Sequence, residues 1–158
     1  MTTKSDFTEE EWNRVRRAPL VAGLAVSLAD PGGPIEAAKE SMATLKNASN
    51  PLSREQLLSE VALDIQQMAQ QRENPIKGFK PEGPNPGEGV LDELRGVVAI
   101  VAAKASPEEL AAFGTWLVAA AQAAADAAKD GGFMGFHAVR VSDREQAMID
   151  SVKAAVSA

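Results

Sequence analysis

The sequence has no cysteine, no tyrosine and a single histidine, His137. Without cysteine there are no disulfides, no thiolate zinc sites and no thiol nucleophile, a composition that suits the reducing cytoplasm expected for this chain. With one imidazole, a Ser-His-Asp triad would have to run through His137, and no G-x-S-x-G nucleophile turn accompanies it. A ferritin-like di-iron bundle is disfavoured as well, because it needs Glu-x-x-His on each of two helices. His137 follows Phe136 in a glycine-rich stretch and reads as a surface or locally hydrogen-bonded group, with a ligand or general-base role as the alternative. The glycine-rich segments follow no strand, so neither a Walker loop nor a G-x-G-x-x-G fingerprint is present.

Long apolar runs are also scarce. The longest, Ala18 to Ala29, is interrupted by Pro19, Gly23 and Ser27 and is shorter than the roughly 20 residues of a membrane span. The opening MTTKSDFTEEEW has no apolar h-region, so no signal peptide is expected. A net charge of -6 argues against a nucleic-acid backbone as partner. Arg14, Arg16 and Arg17 form the one local basic cluster, which suits a solvated surface or, alternatively, an anion or partner contact.

What is abundant is alanine, at 29 of 158 positions, while the β-branched runs of strands are nearly missing. The expected fold is all-α: one domain, residues 1–158, of about six helices, large enough to bury a core without staples. Helix starts are marked by Ser or Thr followed three residues later by Glu or Gln, which satisfies otherwise orphaned amide groups. Such boxes stand at Thr8/Glu11, Ser53/Gln56, Ser106/Glu109 and Ser142/Glu145, and Pro34 and Pro107 suit first helical positions. Helices are therefore predicted over 8–29, 34–47, 52–71, 89–105, 106–129 and 142–156, after a flexible N-terminus 1–7. The first should bend at Pro19.

Apolar residues recur at helical spacing in Leu58, Val61, Ile65 and Met68, in Leu91, Leu94, Val98 and Val101, and in Leu110, Phe113, Leu117 and Ala121. Val90, Val97 and Ile100 widen the second stripe, which places that helix at the centre of the bundle. Trp12 and Trp116 read as core or subunit-interface residues, and Met42, Met68, Met134 and Met148 as gap-fillers. Residues 72–89, RENPIKGFKPEGPNPGEG, are too rich in proline and glycine for helix or strand and predict a long loop anchored by Phe79, either a plain connector or a lid.

The remaining chemistry is that of carboxylates. Asp30 and Asp130 each end a long apolar helix, where the macrodipole already places negative charge, and Asp126 adds a like charge four residues before Asp130. Glu36 and Glu40 are likewise four apart. Oxygen donors gathered in this way suit Ca2+ or Mg2+. Asp before Pro-Gly or Gly-Gly is also an ordinary turn starter, and neither corner has EF-hand spacing.

Both corners follow one plan, an apolar helix, an Asp, glycines, then a helix with an acid in its first turns. The chain resembles the tellurite-resistance TerB-like proteins in Trp12, Pro19, Ala29-Asp30, Gly32, Ile35 and Glu40, and again in Asp130-Gly131, Val141, Ser142 and Glu145. It departs from them in Pro31 and in the added FMGFHAVR of residues 133–140. The resemblance implies two helix-turn-helix repeats joined by the Pro/Gly-rich loop. It also implies a non-enzymatic, stress-related protein that binds a divalent cation through Asp30, Glu36, Glu40, Asp126, Asp130 and Glu145, together with a protein partner. The alternative expectation is an interaction module that homodimerises through Trp-bearing or alanine-rich faces such as 119–128. An enzyme using carboxylates and His137 around the Phe79 loop is a third.

Overall fold

A computed structural model describes residues 2–30, 33–81, 84–129 and 141–157. Among these residues there are six α-helices and no strand. They are α1 (Glu9–Ala29), α2 (Pro34–Ala48), α3 (Gln56–Gln70), α4 (Pro86–Ala102), α5 (Pro107–Lys129) and α6 (Asp143–Val156).

Three of the expected capping boxes are made. Thr8 Oγ1 accepts from the Glu11 amide at 3.1 Å, Ser106 Oγ from Glu109 at 3.2 Å and Ser142 Oγ from Glu145 at 3.1 Å, and each Glu side chain accepts the amide of its own Ser or Thr in return. The fourth fails. Ser53 Oγ accepts from the Glu55 amide at 3.3 Å, two residues on, so the chain turns there and α3 starts at Gln56. Helix α4 starts earlier than predicted, because Asn85 Oδ1 accepts from the Glu88 amide at 3.4 Å and Pro86 takes the first helical position. Helix α1 runs through Pro19, which is buried, without a break.

Two helices occupy the centre. Each of α1 and α5 packs against all five others, whereas α4, the helix expected there, packs chiefly against α1, α5 and α6. Asp92 and Arg95 keep one face of α4 in water. Helix α5 has instead Phe113, Trp116 and Leu117 followed by Ala120, Ala121, Ala124 and Ala125, all buried. Each large apolar side chain so covered contributes about 1.5–3 kcal/mol, and the alanines let neighbouring backbones come close. By length and composition α5 alone among the described helices could cross a membrane, but here it is a core helix of the bundle and no clear span is indicated.

Of the alanines expected to suit a dimer seam, Ala119 and Ala123 are half-buried, and Ala120, Ala121, Ala124 and Ala125 are packed inside the chain. The tryptophans are too: Trp12 and Trp116 are buried, Trp12 Nε1 donating to Asp64 Oδ2 at 2.7 Å and Trp116 Nε1 to the Asn47 carbonyl at 3.3 Å. The N-terminal segment, expected to be free, is docked. Thr2 is buried with its amide donating to Glu109 Oε1 at 2.9 Å and its hydroxyl to Glu109 Oε2, while Lys4 pairs with Asp64 at 2.9 Å. In the long loop Phe79 packs against the core as predicted, joined by Ile76.

Candidate functional site

Helices α1 and α2 meet at the first acidic corner in unusually close contact. Gly23 of α1 lies directly over Thr44 of α2, and a Cβ at Gly23 would overlap the threonine side chain. Thr44 is itself held by a 2.7 Å hydrogen bond from its hydroxyl to the Glu40 carbonyl. Glu40 here turns inward, only 3% exposed, and its Oε2 accepts from the Ser27 hydroxyl of α1.

Glu40 also feels the charge of Glu145, at the start of α6. Burial is the largest cause pushing its carboxyl above the usual carboxylate range; the hydroxyl of Ser27 works against that, and the negative charges of Glu145, Glu36 and Asp30 add to it. Three of the other five carboxylates singled out in the sequence therefore bear on Glu40. Glu145, the third residue of α6, is only 6% exposed. One of its oxygens accepts the Ser142 amide at 3.0 Å, and the other, Oε2, is buried with no hydrogen-bond partner among the described residues.

The other carboxylates have different settings. Glu36 is half-buried, and its Oε2 accepts the Gly33 amide at the start of α2, an ordinary helix-capping use. Asp30 is the C-terminal cap of α1, its amide donating to the Val26 carbonyl at 3.4 Å. Asp126 is exposed, accepts from Gln122 Nε2 at 3.0 Å, and is not among the charges acting on Glu40. Asp130 and His137 lie outside the described residues. Among the described residues no three acidic or imidazole side chains converge closely enough to hold a metal ion by themselves.

Two features were not anticipated from sequence. Ser27 is the hydroxyl donor to Glu40, and it also lines an apolar cleft of about 310 Å³ bounded by Leu20, Leu24, Met42, Leu45 and Ile76. Beside the cleft, Ile35 and Met42 of α2 are 73% and 71% exposed, seven residues apart and so on one helical face.

The class of protein so defined is an all-helical bundle in which Glu40 of α2 and Glu145 of α6 are both buried and the charge of Glu145 acts on Glu40. Comparison with known proteins found no matching family model, no matching curated protein and no matching solved structure.

Proposed function

We propose that the protein is a non-enzymatic helical binding module that takes up a divalent cation, Ca2+ or Mg2+, at the Glu40–Glu145 corner and docks a protein partner beside it. The observation that carries the reading is the second oxygen of Glu145, buried without a hydrogen-bond donor among the described residues, while Glu40 is already burdened by the like charge of Glu145. A buried anionic oxygen is costly unless something positive or protic meets it, and a hard cation supplies that charge. Glu40 and Glu145 would provide the charged ligands, Ser27 a neutral oxygen, and water the rest of the shell. The exposed pair Ile35 and Met42, on the helix that also carries Glu40, supports a partner that presents an apolar face. A stress-related role is the setting that the TerB-like resemblance offers for this module.

The test is titration of the apo protein with Ca2+ or Mg2+ after chelator treatment, with Na+ at matched ionic strength as control. The melting temperature is expected to rise saturably with either divalent ion and not with Na+, and Glu145→Gln should abolish the rise. An unchanged melting temperature at millimolar divalent ion would dismiss the cation reading.

A further inference from the structure

The arginines of α1 play no part in the carboxylate corner. Arg14 and Arg17 are three residues apart and therefore on one side of the helix, where they line a polar cleft of about 440 Å³ with Gly78, Lys80, Asp92 and Glu93. Both acids of this cleft are engaged. Glu93 Oε1 accepts from Arg14 Nε at 2.7 Å, and Asp92 Oδ1 accepts from Arg95 Nη1 at 2.7 Å.

Arg17 is different. Among the described residues neither it nor Lys80 has a carboxylate within ion-pair distance. Its Nη1 donates to the Lys77 carbonyl at 3.3 Å, and its Nε is buried with no acceptor among the described residues. The loop is shaped to this guanidinium: Gly78 has φ 92°, and a Cβ there would stand 2.8 Å from Arg17 Nη1. Ile76 and Phe79, packed against the core, pin the loop on either side of that glycine. Arg17 is thus held half-buried at the wall of the cleft, with a desolvated Nε whose lost hydration no acceptor among the described residues returns. Burial disfavours its charged form, Glu93 opposes this, and the like charges of Arg16 and Arg14 reinforce it.

We propose that this cleft binds the phosphoryl group of a small phosphorylated molecule, with Arg17 and Lys80 contacting the anion and Arg14, held by Glu93, adding charge from the wall. Two cations that pair with no carboxylate among the described residues match a phosphoryl dianion in charge, and the fork of a guanidinium matches its oxygens in geometry. The cleft leaves room for a small organic body beyond the phosphoryl group. The site is separate from the carboxylate corner and does not depend on the cation reading.

Inorganic phosphate is the probe, applied to the full chain in the presence of chelator, with sodium chloride and sodium acetate at matched ionic strength. Phosphate should raise the melting temperature saturably while chloride and acetate do not, and calorimetric titration should show phosphate affinity falling about tenfold in Lys80→Ala and further in Arg17→Gln. Lys80 is on an exposed loop, so its variant carries the test if Arg17→Gln does not fold. A phosphate response no larger than that of chloride would overturn the site, as would variants that bind phosphate like the parent chain. Equal responses to acetate and phosphate would overturn the choice of a phosphoryl ligand.

Discussion

Replacing Glu40 by Gln should make the protein more stable at pH 8, although the residue is buried and hydrogen-bonded. The carboxyl of Glu40 is pushed above its ordinary range by burial and by Glu145, Glu36 and Asp30. A folded-state value raised above the unfolded one means that the folded state holds the proton more tightly. The resulting stability is fully present below the ordinary carboxylate pKa and is lost as pH rises through the folded value. At pH 8 the charge is therefore carried at a cost. Gln removes that charge and keeps an amide oxygen that can still accept from the Ser27 hydroxyl. Taking one ion out of water costs several kcal/mol where its partners do not compensate it. Because Ser27 offsets part of the cost, about 1 kcal/mol is expected, or roughly 2–4 °C in Tm for a chain of this size. Urea unfolding of both proteins in chelator, from pH 5 to pH 8.5, measures it. The parent should lose stability as pH rises and the variant much less, so that the two curves separate toward high pH. A variant less stable than the parent at pH 8, with parallel curves, would refute the claim that charge crowding at this corner costs stability.

Gly23→Ala decides between two opposite effects. Alanine is the better helix former by up to about 1 kcal/mol, but its methyl would overlap Thr44, and overpacking typically costs about 1–3 kcal/mol, so net destabilisation is expected in urea unfolding. Glu109 has the reverse pH signature to Glu40: burial pushes its carboxyl up, but the hydrogen bonds from Thr2 and Ser106 outweigh this and leave it below the ordinary range. Its contribution is present above the ordinary carboxylate pKa and disappears as pH falls through the folded value. Glu109→Ala should cost about 1–3 kcal/mol at pH 7, with the deficit closing under acid in the same unfolding assay. Trp12→Phe removes the 2.7 Å bond to Asp64 and should lower stability by about 1–2 kcal/mol, read by far-UV circular dichroism melting.

Helix positions were legible because caps and apolar periodicity act within a few residues of chain. Thr8/Glu11, Ser106/Glu109 and Ser142/Glu145 announce their helices for that reason. The Ser53 box misleads because the same hydroxyl can satisfy an amide two residues on, and a pattern of residue types does not distinguish the two bonds. The centrality of α5 was hidden by its composition: alanine gives a weak apolar stripe but a close packing surface, while the valines of α4 give a strong stripe on a helix with a wet face. Of the candidate site, the acidic types were visible. Their grouping was not, since Glu40 and Glu145 come from opposite ends of the chain and only the packing of the corners sets one against the other. The cleft of Arg14, Arg17 and Lys80 was likewise out of reach, because the loop that closes it is placed by Ile76 and Phe79 and by the backbone of Gly78.

The bond from the Trp116 indole to the Asn47 carbonyl ties α5 to the last turn of α2. With tyrosine absent, near-ultraviolet fluorescence comes from Trp12 and Trp116, and Trp116, on α5, bonds to the far end of the helix that carries Glu40. The molecule thus contains an unlabelled optical gauge of α2: any ligand that shifts this helix alters the polarity around one indole and moves its emission.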